Sequence, residues 1–356
     1  MQKYAYVSTF LFLFIVAQAP AKVWVVNANG TGNFTTLTSA INSAAGGDTI
    51  FVAPGGYVES PSATTKMLTV LGIGFSSNST TTWSIILDST LALGTGSVIS
   101  GLELRGSASP LIKLSLNSHV EKCHIVANGK DGIHIAADSC AVRQNVVENI
   151  QSGGSSAIGV DIVGSYLGIT ILNNVITHFA NDIYIGGNGD ELVANNIILS
   201  SNTALNIQGS SFSGKVFSNI FEGSSYPTIV ETAPSFYCAF NDFWSNQMNN
   251  IPFYFDVGSI LTDPKFINYS STTGYVYGTS NFHLAAGSPC IDDGEPNVGN
   301  NDRDGSRNDM GIYGGPYQFD DTGTPIYPCV ITVIVSPYAA PLNGTITIKA
   351  LGRIGQ

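Results

Sequence analysis

An asparagine followed by two apolar residues recurs along the middle of the chain, between about residues 110 and 246. The asparagines are 29, 22 and 23 residues apart, and a last, imperfect copy that begins with Asp242 lies another 23 residues on. A period near 22 residues predicts stacked coils, because each unit is too small to bury its own apolar face and must stack on its neighbours. The copies are Asn145-Val146-Val147, Asn174-Val175-Ile176, Asn196-Ile197-Ile198, Asn219-Ile220-Phe221 and Asp242-Phe243-Trp244.

A second pattern precedes each copy, as a triplet with aliphatic outer members and a polar or amphipathic middle member. Side chains alternate between the two faces of a strand, so the aliphatic members are predicted to point into the coil and the middle members outward. Equivalent positions on adjacent parallel coils lie ~4.8 Å apart. The middle members are therefore predicted to form one outward line, which we call the polar row: Lys113, His134, Asp161, Tyr184 and Asn206.

The repeated asparagines have a structural interpretation. Asparagine accepts left-handed backbone angles at corners, and stacked amide side chains can hydrogen-bond from coil to coil, as in cross-β ladders. We therefore expect the asparagines to hold the coils in register, and we expect any activity to lie at the polar row.

The N-terminus carries a targeting pattern. Lys3 is followed by an apolar run from Val7 to Val16 and by Ala19-Pro20-Ala21. This pattern predicts a secretory signal peptide over residues 1–21, with a run too short to span a bilayer as an anchor. The alternative is a first buried strand.

The mature chain is predicted to open with a strand, Val23 to Val26, and a short helix from Thr36 to Ala45. In that helix Leu37, Ala40, Ile41 and Ala44 have the i, i+3, i+4, i+7 spacing of an amphipathic helix. A strand that begins at Asp48 follows and is stopped by Pro54 and Gly55. We expect the first strand and the helix to cap the stack, since an uncovered terminal coil would present unpaired backbone groups.

Composition supports a turn-rich all-β protein, since 44% of the residues are apolar and only 11% are charged. The net charge of −11 excludes charge-driven binding to nucleic acid or to anionic membranes. Five cysteines lack the spacing of a zinc site. Cys123 and Cys140 fall on neighbouring coils. Two alternatives stay open for them: a disulfide bridge, or two buried free thiols.

The repeat breaks after Asp242, and several ordered phrases follow. Together with the first strand and helix they resemble secreted bacterial right-handed parallel β-helix proteins of the pectin-lyase-like superfamily. The resemblance covers residues 22–317 and implies an all-β fold: a right-handed, single-stranded parallel β-helix of about eight to ten coils, with an N-terminal cap helix and a loop-rich C-terminal closure. The phrases are Thr262-Asp263-Pro264-Lys265-Phe266, Asn281-Phe282-His283-Leu284, Gly287-Ser288-Pro289-Cys290-Ile291-Asp292-Asp293-Gly294 and the stretch from Asp302 to Gly314.

Residues 318–329 are predicted to be a linker, and residues 330–356 a partial C-terminal β module. The module has two strand candidates, Val330 to Val335 and Thr345 to Lys349. Either the module is truncated, because thirty-odd residues cannot close a sandwich of about seven strands, or its strands pack on the end of the β-helix.

The resemblance also implies where chemistry would lie, because polysaccharide enzymes of this superfamily bind substrate along such a row. A lyase needs a base, an acid and a cation beside the uronate carboxylate. His134 or Tyr184 would exchange protons, Lys113 would offset charge, Asp161 would orient His134 or bind calcium, and Asn206 would bind substrate. The alternative is a solvated face without catalysis. The aspartate clusters of the hydrolases, and the aspartate pair with arginine of the methylesterases, do not line up in this sequence.

A second candidate site begins at Asp302, where Asp302, Asp304 and Asp309 surround a turn and resemble the start of a calcium loop. Tyr313 stands where an EF-hand has its last glutamate. The alternative is a turn locked by pairs between its arginines, Arg303 and Arg307, and neighbouring carboxylates. The other histidines, His119, His124, His178 and His283, are isolated and are interpreted as surface or turn residues.

The hypothesis is therefore a secreted or cell-surface β-helix protein that binds polysaccharide or serves as an extracellular scaffold, with a polysaccharide lyase acting on a uronate-containing glycan by β-elimination as the alternative. An adhesin attached to the cell through a missing C-terminal module is a third possibility. The expected partner is a polysaccharide or cell-surface glycan, with Ca²⁺ as the candidate cofactor. We expect a monomer, with no nucleic-acid partner and no integral membrane segment after signal cleavage.

Overall fold

A computed structural model of the protein describes residues 20–74, 84–151, 156–226, 228–232, 236–247, 257–272, 274–321, 329–336, 345 and 347–353. Short parallel strands dominate these residues and form a β-solenoid of about 9 turns. The predicted parallel β-helix is confirmed. The predicted signal peptide, residues 1–21, lies outside the described residues except for its last two positions.

The strands form three parallel sheets, which we call sheets A, B and C, and from Thr69 to Glu231 each coil contributes one strand in turn to each of them. Sheet A contains Val23–Val26, Thr49–Val52, Thr69–Leu71, Val98–Ser100, His119–Glu121, Ala141–Arg143, Thr170–Leu172, Leu192–Ala194, Lys215–Phe217 and Tyr237–Ala239. Sheet B contains Tyr57–Glu59, Ser84–Leu87, Glu103–Gly106, His124–Ala127, Val146–Asn149, Val175–Thr177, Ile197–Leu199, Ile220–Glu222 and Asp242–Trp244. Sheet C contains Leu91–Ala92, Ile112–Leu114, Ile133–Ile135, Ile158–Ile162, Asn181–Ile185, Thr203–Ile207 and Ile229–Glu231.

The predicted N-terminal helix is observed as Leu37–Ser43, where the side chain of Thr36 caps the first turn by accepting a hydrogen bond from the Ser39 amide. Leu37, Ala40 and Ile41 are buried, as their spacing predicted. The helix contacts the first three strands of the chain, and its role as a cap stays a prediction. A 3-10 helix spans Val298–Asn300, and two strand pairs are antiparallel: Phe266–Asn268 with Asn281–Leu284, and Cys329–Ser336 with Thr347–Arg353.

The last strand pair agrees with the two strands predicted near the C-terminus. Within the predicted linker, residues 318–321 and 329 are described. The linker, the appended module and its truncation stay predictions.

A ladder of buried asparagine side chains runs along the corner between sheets A and B. The Oδ1 atoms of Asn174, Asn196, Asn219 and Asn241 each accept hydrogen bonds from the backbone amide and the side-chain Nδ2 of the asparagine one coil earlier, at 2.9–3.0 Å. Asn145 Oδ1 accepts from the backbone amide of Cys123 at 3.0 Å. All of these residues are fully buried. The predicted structural role of the repeated asparagines is therefore confirmed for Asn145, Asn174, Asn196 and Asn219, and Asn241 continues the ladder.

Two details of the ladder differ from the sequence interpretation. Its last member is Asn241 and not Asp242, because Asp242 pairs with Ile220 in sheet B and so occupies the next position along the strand. The left-handed backbone angle belongs to the residue before each asparagine, with φ between 54° and 57° at Gln144, Asn173, Asn195, Ser218 and Phe240. Lys122, which precedes Cys123 one coil before Asn145, has the same conformation with φ 51°. We call Lys122, Gln144, Asn173, Asn195 and Ser218 the corner column.

The loop-rich residues 257–272 and 274–321, which we call the cover segment, lie along the outer face of sheet B. There Phe282, Cys290, Met310 and Ile312 form a second apolar cluster with outward side chains of the sheet. Those side chains are Val146, Val175, Ile197, Leu199 and Ile220. The sequence placed this segment at the end of the stack, and closure of that end stays a prediction.

The corner column ties the cover segment to the coils by hydrogen bonds. Asn195 Nδ2 donates to Asn308 Oδ1 at 2.8 Å, and Asn173 Nδ2 donates to the carbonyls of Ile312 and Gly314 at 2.9 and 2.8 Å. The cover segment runs opposite to the growth of the stack, because its later residues meet earlier coils. The remaining contacts in this order are Ser218 with Asn308, Gln144 with the carbonyls of Tyr317 and Gln318, and Lys122 with Asp320.

Cys123, Cys140, Cys238 and Cys290 are buried thiols that form no disulfide in the described part of the chain. The disulfide alternative for Cys123 and Cys140 is therefore wrong, and the free-thiol alternative is confirmed. Burial raises the pKa of the Cys123 thiol to about 12, so this side chain packs as a small apolar group.

Substitution of Asn196 by alanine tests the ladder. The change removes the acceptor for the amide and the side chain of Asn174 inside a dry corner, so we expect a loss of about 3–5 kcal/mol in unfolding free energy. Denaturant unfolding followed by circular dichroism measures it. The matched control is Asn202→Ala, at an exposed asparagine of the same coil; equal stability of the two variants would contradict the structural role.

A buried carboxyl inside the stack gives a pH prediction. Glu191, next to Asp190 at the start of a sheet A strand, is fully buried, and neither of its carboxylate oxygens bonds to another described residue. Burial raises its pKa from 4.5 to about 7. The folded state therefore binds more protons than the unfolded state between these pH values, and stability is lost as the pH rises through this window.

Glu191→Gln removes the ionisation. We expect the variant to be more stable than the wild type at pH 8, by on the order of 3 kcal/mol, and the difference to shrink below pH 5. Thermal unfolding across pH 4–9 measures this difference, with Asp88→Asn at an exposed carboxyl as the control. If the stability of Glu191→Gln and of the wild type depended on pH in the same way, the pKa of Glu191 would be the same in the folded and unfolded states, which would contradict the prediction.

Candidate functional site

The polar row exists in the predicted register. His134 pairs with Lys113 on one side and with Asp161 on the other, Asp161 pairs with Tyr184, and Tyr184 pairs with Asn206. The row lies on the outer face of sheet C and ends at apolar positions, Ala92 before it and Val230 after it. Five consecutive parallel strands thus present five polar side chains, which the sheet spacing places over about 19 Å.

His134 and Asp161 form the closest contact within the row. His134 Nδ1 lies 2.8 Å from Asp161 Oδ2. Asp161 is buried, its Oδ1 atom makes no hydrogen bond within the described part of the chain, and the His134 side chain is 24% exposed. A carboxylate at Nδ1 favours the tautomer with the proton on that nitrogen, which leaves Nε2 as the acceptor. The predicted orienting role of Asp161 is thus compatible with this geometry and stays a prediction.

Tyr184 and Lys113 present different chemistry on either side of this pair. The Tyr184 ring is half-buried and lies over Gly186, where an added Cβ would come within 2.9 Å of the ring. The glycine therefore allows the ring to lie flat along the sheet, as a surface on which a sugar ring can stack. Lys113 is exposed and makes no ion pair with a described residue, so its charge faces solvent.

The Asn206 side chain is held by two hydrogen bonds that the sequence did not predict. Its Nδ2 donates to Asn181 Oδ1 at 2.9 Å, and its Oδ1 accepts from Gln208 Nε2 at 2.5 Å. These bonds fix the amide in place at the end of the polar row. Its predicted role in substrate binding stays a prediction.

The predicted calcium turn has its carboxylates bonded to the protein's own donors. Asp302 accepts from the amide of Gly315, Asp304 from Ser306, and Asp309 from the amide of Asp292. Burial raises the pKa of Asp302 to about 6. Among the described residues no three His, Cys, Asp or Glu side chains are grouped as metal ligands. The calcium assignment of Asp302, Asp304 and Asp309 stays a prediction.

The two arginines of this turn are part of its framework. Arg307 Nη1 lies 3.3 Å from Asp293 Oδ1, while Arg303 Nε donates to the carbonyl of Pro316 at 3.3 Å. The arginine-locked turn that the sequence offered as the alternative to a calcium loop is thus present at Arg307, and at Arg303 a backbone carbonyl replaces the carboxylate.

His124 is a polar centre that sequence reasoning missed, since it was interpreted as a surface or turn residue. It is fully buried on the outer face of sheet B, with Nε2 2.8 Å from Glu148 Oε1 and Nδ1 3.5 Å from Glu103 Oε2. Burial alone lowers the pKa of His124, but the two carboxylates outweigh it and raise the pKa above its usual value. The Tyr277 ring of the cover segment stacks on His124 at 3.8 Å between centroids.

A signal for this centre was present in the sequence. Glu103, His124 and Glu148 lie on adjacent sheet B strands, with His124 paired to Glu103 directly and Glu148 displaced by two positions. Recognising it required the register of sheet B at Glu103 and His124, which both lie before the first copy of the asparagine phrase.

Neither a protein-family profile nor a curated protein matches the chain. One similar solved structure is the pectate lyase Pel9A, at 14% identity and a TM-score of 0.40, which covers 85% of this chain and 98% of its own. Another is a pectin methylesterase in complex with a hexasaccharide, at 14% identity and a TM-score of 0.28, covering 63% of this chain and 70% of its own.

No helix among the described residues is both long enough and apolar enough to cross a bilayer.

Proposed function

We propose that the protein is an extracellular glycan-binding β-helix and that the polar row is its binding surface. The observation that carries this proposal is the register of the row, in which five polar side chains follow one another on adjacent parallel strands. A linear polymer laid across the strands meets one side chain per coil. Tyr184 supplies a stacking surface, and Lys113 supplies a cation that favours an acidic glycan over a neutral one.

Substitutions in the row test this function. We expect Tyr184→Ala to weaken glycan binding about tenfold by removing the stacking surface, and Lys113→Ala to remove the preference for acidic polymers. Isothermal titration against pectate, alginate, glycosaminoglycans and a neutral glucan measures both effects. Tyr226→Ala, at a tyrosine that is 56% exposed outside the row, is the control. Glycan binding that is unchanged in both row variants would rule out the polar row as the binding surface.

The His134–Asp161 contact favours one further function, a polysaccharide lyase. In β-elimination a base removes the proton next to the uronate carboxylate, the bond from the neighbouring carbon to the glycosidic oxygen breaks, a carbon–carbon double bond forms, and an acid protonates the departing oxygen. In this proposal His134 Nε2 acts as the base, supported by the contact of Nδ1 with Asp161. Tyr184 acts as the acid, and Lys113 is the cation that neutralises the carboxylate.

The unsaturated product absorbs ultraviolet light, so absorbance during incubation with uronate polymers, with and without Ca²⁺, detects the lyase. We expect His134→Ala to lower kcat at least ~100-fold, as loss of a general base does, and Asp161→Asn to lower it with a changed pH profile. His178→Ala, at a histidine outside the row, is the control. Absence of product from every polymer would leave glycan binding as the function of the polar row.

A further inference from the structure

A cavity lies between the cover segment and the outer face of sheet B, away from the polar row. Its volume is about 280 Å³, and that space accommodates one sugar ring. Val146 and Val175 of sheet B form its floor, and the cover segment supplies its aromatic walls: Tyr275, Tyr277, Phe282, Tyr313 and Phe319.

The aromatic walls are fixed by contacts that exist without a ligand. Tyr277 stacks on the buried His124 at 3.8 Å with an interplanar angle of 11°, and Tyr313 stacks on His283 at 3.9 Å and 20°. Tyr275 lies parallel to Phe282 at 6.0 Å and 12°. Because these rings are already held in place, a ligand would bind without a large cost for ordering them.

Polar groups converge at the same cavity. The Asp321 carboxylate lines it, accepts a hydrogen bond from Tyr313 Oη at 2.5 Å and lies 3.5 Å from His283 Nε2. His283 is fixed from its other side, since its Nδ1 lies 2.8 Å from Asn281 Oδ1. Tyr275 lines the cavity, and its hydroxyl makes no hydrogen bond within the described part of the chain. Aromatic faces with a few directed polar groups are the composition of a small-molecule site.

The charge of the side chains that line the cavity determines which small ligands it favours. Asp321 is the only charged side chain among the described residues that line the cavity, and a carboxylate accepts hydrogen bonds from hydroxyl groups but repels an anion. An acidic sugar is therefore disfavoured here, in contrast to the polar row with its exposed Lys113. An apolar ring would leave the Tyr275 hydroxyl without a hydrogen-bond partner from the ligand.

We infer that this cavity is a second carbohydrate site, which binds a single neutral pyranose ring, free or at the end of a glycan. The ring would place its C–H faces against the tyrosine and phenylalanine walls and its hydroxyl groups toward Asp321 and Tyr275. The cavity shares no residue with the polar row, so the proposal for one site can be wrong while the proposal for the other holds.

The test uses the full chain with D-glucose, D-galactose and N-acetyl-D-glucosamine as neutral probes, D-galacturonate as the anionic probe and benzene as the apolar probe. Saturation-transfer NMR detects binding. We expect at least one neutral sugar to bind and D-galacturonate to bind more weakly. Asp321→Asn should weaken the neutral sugar about tenfold, the loss of a hydrogen bond to a charged acceptor, and should narrow its advantage over D-galacturonate.

Tyr275→Phe is the conservative second variant, because it removes the hydroxyl and keeps the ring contact with Phe282; it should also weaken the neutral sugar. Tyr184→Ala, in the polar row, should leave monosaccharide binding unchanged. The inference is overturned if benzene binds while every neutral sugar fails, if D-galacturonate binds as well as the neutral sugars, or if Tyr184→Ala abolishes the signal. Unchanged thermal unfolding of the variants shows that the fold is intact.

Discussion

The hydrogen bonds between stacked asparagine side chains are the constraint on which the rest of the structure depends. Each side-chain amide makes hydrogen bonds to backbone groups and to the asparagine side chain of the neighbouring coil. All of these asparagines are fully buried. A coil displaced by one residue would leave several buried polar groups unpaired and would turn every side chain of its strands to the opposite face. The ladder therefore sets the register in which Lys113, His134, Asp161 and Tyr184 become neighbours.

Local pattern was sufficient to predict the coils and the polar row, because both follow from a repeat length and from the alternation of side chains along a strand. The His134–Asp161 contact was also within reach, since the register places the two residues side by side although they are 27 positions apart. The engagement of Asn206 by Asn181 and Gln208 was not, because it depends on side-chain conformations that no repeat specifies.

The position of the cover segment could not be predicted from local pattern, yet the repeated phrase contained a sign of it. Asn174-Val175-Ile176 has two successive apolar residues, and successive residues of a strand face opposite sides. Both faces of sheet B must therefore be buried, as in strands covered on two sides. The identity of the covering residues is a long-range property: Val175 packs with Phe282 and Ile312, more than 100 positions away.

The opposite directions of the cover segment and the stack have a consequence for how the chain folds. A solenoid can add coils one after another as the chain emerges, but the ion pair between Lys122 and Asp320 joins residues 198 positions apart. The outward apolar side chains of sheet B, from Val146 to Ile220, therefore stay exposed to solvent until the cover segment has been synthesised. The earliest coils are covered last. During that interval these side chains are an aggregation hazard. Docking of the cover segment then links coils that otherwise contact only their neighbours, and we therefore expect the stack to unfold as one cooperative unit.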